Sequence, residues 1–301
     1  MPGERMHADE VDTDVALVRR LLAAQLPQWA DRPVEPVHPR GTDNALYRLG
    51  GDLVARLPRR ESTTGTLTKE VEWLPRIAPY LPLAVPVPVA RGLPGEGYPF
   101  GWAVYTWLDG ATATDATADA ESLASDLAGF IAALEQIDAT GGPPPGAHNF
   151  GRGQPLARRD QMTRAAITSL AGEIDGVAVT AAWERALAAP EWGGEPVWIH
   201  GDLDARNLLV SDGRLSGVVD FGCLGVGDPA YDVMVAWKMF SAETRHLLRT
   251  ALSVDDATWS RARGLALSQA LFALPYYTLE TNPVLVHEAR RWLAEALSDD
   301  G

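Results

Sequence analysis

Apolar residues recur at helical spacing over Val15–Leu26, where Val15, Val18, Leu22 and Leu26 share a face. Asp12 to Asp14 offer a cap and Pro27 closes the run. The pattern then shortens into extended runs at Val34–Val37, Ala45–Leu49 and Leu53–Leu57, with Gly50-Gly51 as a hairpin turn between the last two. Thr66–Ala78 returns to helical period, and Pro75 is expected to end or distort its last turn. Leu81–Val89 carries Pro82, Pro86 and Pro88, which excludes a helix and leaves an extended segment. Trp102–Leu108 reads as a strand closed by Asp109-Gly110.

Beyond Gly110 the pattern changes. Ala118–Gln136, Arg158–Ser169 and Thr180–Ala189 have helical period, with a Pro/Gly loop at Gly141–Gly146 between the first two. Val197–His200, Leu208–Ser211 and Leu215–Asp220 are short apolar strands, the last two joined by an Asp212-Gly213 turn. From Ala230 onward the chain is helical again, in segments broken near Ser253, Pro275 and Pro283. The expected class is α+β: a β-rich N-terminal lobe over residues 1–107, then a mostly helical C-terminal lobe over 108–301 carrying a small β insert.

Composition narrows the function classes. The chain has 301 residues, 46% hydrophobic and 22% charged, ordinary for a globular protein and long enough for two lobes. Its formal charge of −14 argues against nucleic acid, whose phosphates need a basic surface. The single cysteine, Cys223, excludes an internal disulfide and a cysteine-based zinc site. Met1 to Asp14 is polar and acidic rather than signal-like, and no apolar run approaches the ~18 residues of a membrane helix. No membrane partner and a soluble, cytoplasmic protein are the expectation.

Chemistry concentrates in one stretch. His200-Gly201-Asp202-Leu203-Asp204-Ala205-Arg206-Asn207 connects two predicted strands, and the following hairpin delivers Asp220-Phe221-Gly222. Asn207 and Asp220 offer an amide and a carboxylate oxygen, hard ligands suited to magnesium. Asp202 is left free of the metal to orient a substrate hydroxyl and accept its proton. Phosphoryl transfer needs this division of labour, and Asp-x-x-x-x-Asn followed by a strand-borne Asp-Phe-Gly matches the catalytic and metal loops of kinases.

The run HGDLDARN with VVDFG and GDPAYD resembles the aminoglycoside phosphotransferase/choline kinase family, sharply over His200–Asp232 and in element order over most of the chain. The resemblance implies a two-lobed, protein-kinase-like fold using ATP, with GTP an option, and Mg2+. It makes Asp202 the catalytic base, Asn207 and Asp220 the metal ligands, His200 a support of the loop, and Asp232 a cap or anchor. Arg56, in Val54-Ala55-Arg56, stands where such kinases carry a phosphate-pairing Lys; its helix partner is Glu70, or else Glu72. The phosphate loop falls at Gly41-Thr42-Asp43-Asn44, with Thr42 and Asn44 as contacts, and adenine lies along Trp102–Asp109 near the Thr106 and Leu108 backbone.

The acceptor implied is the hydroxyl of a small molecule, with an aminoglycoside-type and therefore cationic antibiotic leading. A macrolide, choline, homoserine or a sugar are the alternatives, and a degenerate nucleotide-binding scaffold is the rival from another class. Asp204, Arg206 and Glu280 are the acceptor-side candidates, with Tyr276-Tyr277 near the last. Trp73, Trp198 and Trp237 occupy periodic apolar positions and read as core; Trp107 and Trp192 are candidates for ring stacking. Cys223, next to the metal loop, reads as a small packed residue.

Overall fold

Asp14 starts helix α1 (Val15–Gln25) by accepting the Leu17 N–H at 2.7 Å in the computed structural model, which describes residues 10–38, 43–116, 118–276 and 282–298. Two units emerge, Met1–Gly110 with Gly217–Gly222, and Ala111–Ser216 with Cys223–Gly301. Gly217–Gly222 thus joins the first unit, an assignment that a division into consecutive lobes does not contain.

The first unit is built on an antiparallel sheet of β1 (Val34–Pro36), β2 (Asn44–Leu49), β3 (Leu53–Pro58), β4 (Pro88–Gly92) and β5 (Trp102–Thr106), in the order β1-β2-β3-β5-β4. Strand alternation gives its two faces different tasks. Tyr47, Leu49, Leu53, Ala55, Leu57, Trp102 and Val104 form a core with Leu17, Val18, Leu21 and Leu22 of α1. Each fully buried Leu there contributes about 1.5–3 kcal/mol. The alternate residues of β3 and β5, Arg56 and Tyr105 among them, belong to the other face, with α2 (Thr64–Ile77). Gly92 lies opposite Trp102 in the β4–β5 register, and a Cβ there would come within 2.0 Å of the indole, so the residue must be glycine.

The second unit contains β6 (Ala111–Thr112), α3 (Ala120–Glu135), α4 (Asp160–Ser169), α5 (Gly176–Leu187), β7 (Val197–Ile199), β8 (Leu208–Ser211) and β9 (Arg214–Val218). The last two residues of β9 count with the first unit. It continues through β10 (Gly225–Gly227), α6 (Ala230–Val233), α7 (Val235–Met239), α8 (Ala242–Leu252), α9 (Asp256–Tyr276) and α10 (Pro283–Ser298). Strand β7 pairs with β10, while β6, β8 and β9 form a separate sheet. Helix α9 packs with α4, α5, α6 and α10, and Trp183, Trp198 and Trp237 are fully buried.

Two expectations need correction. Pro75 does not end α2, which runs on to Ile77, because Leu74 and Ile77 are buried and a proline this close to the C-terminus removes only one internal hydrogen bond. The expected break near Pro275 agrees with α9, whose described span stops at Tyr276. The strand expected over Trp102–Leu108 stops at Thr106, since the Trp107 N–H turns to the Asp52 carbonyl at 2.8 Å. Among the described residues no helix is long and apolar enough to cross a membrane.

Candidate functional site

The polar face of the first unit is organised around one cation. Arg56 shares its sheet face with Tyr105, and Arg56 Nη1 donates to both Glu70 oxygens, at 2.8 and 2.7 Å. The Tyr105 hydroxyl donates to Glu70 Oε2 at 2.8 Å, and Glu70 is wholly buried. With the Asn44 amide turned oxygen-first, that oxygen accepts from Arg56 Nε at 3.1 Å and Nη2 at 3.0 Å. Asp220 Oδ1 stands 3.5 Å from Nη2. Burial opposes the Arg56 charge, but Glu70 and then Asp220 outweigh it and raise its pKa further above the usual guanidinium value. Glu72 takes no part in this cluster; its carboxylate is 3.8 Å from Arg76 at the surface.

Asp220 is presented by backbone constraint. Its φ of 62° is left-handed, unusual for a residue with a Cβ, and its side chain is 57% exposed. The preceding strand is pinned by the Val218 N–H on the Ala84 carbonyl at 2.9 Å. The following turn is held by Lys69 Nζ on the Gly222 carbonyl at 2.9 Å, a lysine that periodicity alone did not single out.

In the second unit the loop after β7 is suspended from Asp232. Its two carboxylate oxygens accept the N–H groups of His200 and Gly201, each at 2.7 Å, and the side chain is buried. Gly201 has φ +79°, and a Cβ there would lie 2.7 Å from the Cys223 carbonyl, so no other residue fits. The Asp202 N–H donates to His200 Nδ1 at 3.2 Å, and Asn207 Nδ2 donates to the Asp202 carbonyl at 2.9 Å. The backbone of Asp202 is therefore held on both sides, while its carboxylate accepts no hydrogen bond from the described residues. Asp232→Ala would leave two buried N–H groups unsatisfied, and the expected cost is about 2–4 kcal/mol, measured by urea unfolding. Burial and then the Asp232 charge push the carboxyl of Glu135, at the end of α3, up to about 7.

Asp204 is placed differently from its expected role. It is 4% exposed, and Arg206 forks onto it through Nε at 2.8 Å and Nη2 at 2.9 Å while Lys238 Nζ approaches to 3.2 Å. Burial raises its pKa, but Lys238 and Arg206 together hold the carboxyl well below the ordinary range. So engaged, Asp204 braces the loop and is not a free carboxylate for an acceptor amine. Arg206 itself is half-exposed and reaches Glu288 Oε2 at 3.4 Å.

Of the remaining candidates, Thr106 pairs with Val87 through both its N–H (2.9 Å) and its hydroxyl (2.9 Å), which occupies that N–H. The Leu108 backbone makes no hydrogen bond among the described residues. Arg48 covers the Trp107 ring at 4.6 Å. Cys223 is buried. Thr42, Tyr277 and Glu280 lie outside the described residues.

Chemically, the first unit offers a buried, permanently charged guanidinium beside an exposed carboxylate. The second offers a positioned carboxylate on a braced loop next to an amide. The chain matches the phosphotransferase enzyme family over residues 33–265. An aminoglycoside 3'-phosphotransferase from Escherichia coli is 25% identical over 162 residues, spanning 52% of this chain and 59% of the relative. A viomycin phosphotransferase from Streptomyces vinaceus is 38% identical over 87 residues, spanning 25% of this chain and 29% of its own. The chain thus spans less than two thirds of the length of these curated relatives. Among solved structures, the GDP and kanamycin complex of APH(2")-IIia superposes with a TM-score of 0.72 at 20% identity, covering 94% of this chain and 99% of that one. The α+β, kinase-like class with a β-rich first part and helical second part is therefore the one observed.

Proposed function

Because the chain belongs to the phosphotransferase enzyme family, we propose that it transfers the γ-phosphate of ATP to a hydroxyl of a small molecule, with Asp202 as the base. The supporting observation is the Asp202 backbone, held by His200 Nδ1 on one side and Asn207 Nδ2 on the other with the carboxylate left free. Such a group can accept a hydroxyl proton with little reorganisation. Asn207 and Asp220 would hold the magnesium. Asn207 uses its Nδ2 on the loop, which leaves a hard amide oxygen, and the Asp220 carboxylate is exposed. When bound, the metal supplies charge neutralisation at the phosphates. Arg56, oriented by Glu70 and Asn44, presents a fixed cation to the triphosphate, and the Leu108 backbone is available to the base. GTP is the alternative donor, in keeping with the GDP held by a structural neighbour.

For the acceptor, an aminoglycoside-type antibiotic leads, supported by the relatives named above and mildly by the net charge of −14. Viomycin-like peptides, macrolides and small alcohols are the in-class alternatives. A degenerate, nucleotide-binding scaffold is the rival reading, kept by the Arg in place of Lys. A panel of these acceptors, read as magnesium-dependent ADP or GDP release, is the test. Stimulation by one of them is the expected result; tight nucleotide binding with no stimulation by any would favour the scaffold.

A further inference from the structure

Asp202 sits between two residues that one short helical segment holds. On one side, Asp232 of α6 accepts the Gly201 N–H at 2.7 Å. On the other, Lys238 of α7 donates through Nζ to the Leu203 carbonyl at 2.9 Å. The same ammonium lies 3.2 Å from Asp204 Oδ2. Helix α10 fixes this lysine in turn. The Lys238 carbonyl accepts from Trp292 Nε1 at 3.1 Å and from Arg291 Nη2. The Trp292 ring also lies 5.0 Å from the ammonium. Lys238, Asp204 and Trp292 are all buried, so water does not compete for these contacts.

The residue type is informative. The chain has 26 basic residues, and only Lys69 and Lys238 among them are lysines. Both are buried, and each donates to a carbonyl in a loop that carries a site carboxylate. Lys69 meets Gly222, just past Asp220, and Lys238 meets Leu203, just past Asp202. An ammonium is compact, and its three donors can serve a carbonyl and a carboxylate together where a planar guanidinium fork is too large. Neutralising Asp204 does not by itself call for Lys238, because Arg206 already forks onto that carboxylate at 2.8 and 2.9 Å. What Lys238 adds is a charge-assisted bond to the backbone next to the base.

We propose that Lys238 is a positioning residue for phosphoryl transfer: it holds Leu203 while Asp232 holds Gly201, and so sets where the Asp202 carboxylate stands. The inference rests on Asp202 as the base. Through Trp292 and Arg291 the last helix is coupled to that base.

Hydrogen exchange of the full chain, followed by mass spectrometry, reads the loop without turnover. In Lys238→Met the amides of residues 201–207 should exchange about tenfold to a hundredfold faster, with α5 as the unaffected reference. The same variant should lower kcat by about a hundredfold while the nucleotide Kd holds. Because Lys238 acts through Asp202, adding Lys238→Met to Asp202→Ala should remove little further activity. Lys238→Met/Asp204→Asn, which removes both buried charges, separates this role from simple misfolding. It should regain the urea midpoint yet keep a low kcat, since the Leu203 carbonyl still lacks its donor. Unchanged exchange in Lys238→Met, recovery of kcat together with the midpoint, or an equal further loss on top of Asp202→Ala would overturn the proposal. Lost protection in a chain that no acceptor stimulates leaves Lys238 holding the loop and removes the proposed reaction. Full turnover with unchanged protection in Lys238→Met removes Lys238 and leaves the reaction standing.

Discussion

Asp202→Ala is expected to lower kcat by a factor of about 10²–10⁴, the usual contribution of a positioned general base, while the nucleotide Kd changes little. The reason lies in what the side chain does not do. Its backbone N–H and carbonyl carry the loop contacts to His200 and Asn207, at 3.2 and 2.9 Å, so truncating the carboxylate leaves both in place. The fold should therefore unfold at nearly the same urea midpoint, and the loss should fall on kcat. Asp202→Asn, which keeps shape without basicity, should be nearly as inactive. Retention of more than a tenth of the activity in both variants would remove Asp202 from the base role.

Glu70→Ala should produce the largest loss of stability, about 3–5 kcal/mol, because it strands a buried guanidinium. Arg56 would keep Asn44 and the more distant Asp220, but its bidentate partner would be gone and the Tyr105 hydroxyl would lose its acceptor. The double variant Arg56→Met/Glu70→Leu separates structure from ligand binding. Replacing the whole pair by apolar groups should recover most of the stability while nucleotide affinity stays low. A loss below about 1 kcal/mol in Glu70→Ala by urea unfolding would contradict a buried, engaged pair.

Family and fold class were readable from the chain because their signals are local. The hairpin that separates Asn207 from Asp220 and the loop bond from Asn207 to Asp202, five residues apart, both lie inside one short stretch. The Glu70 partner was also within reach, since helical period put it and Glu72 on different faces of α2. What escaped depends on distant partners. Lys69 meets Gly222 across 153 residues and Arg152 meets Gly201 across 49, and no periodicity records either contact. Strands β6 and β10, two and three residues long, are too short to show alternation. Asp204 was misread because spacing shows that a carboxylate is present but not that Lys238 and Arg206 already hold it.

The membership of Gly217–Gly222 in the first unit bears on how the chain is made. A ribosome that has released residues up to Gly110 has not yet supplied the segment that bonds Ala84, Lys69 and Arg56. At 5–20 residues per second, the wait for that segment is on the order of ten seconds. Until then the Ala84 carbonyl lacks its Val218 partner, and Arg56 lacks one of its two carboxylates. The first unit is therefore the first to be translated but cannot be completed before most of the second has emerged. A ribosome-stalled fragment ending at Gly110 should accordingly be more sensitive to protease than the same residues in the finished protein.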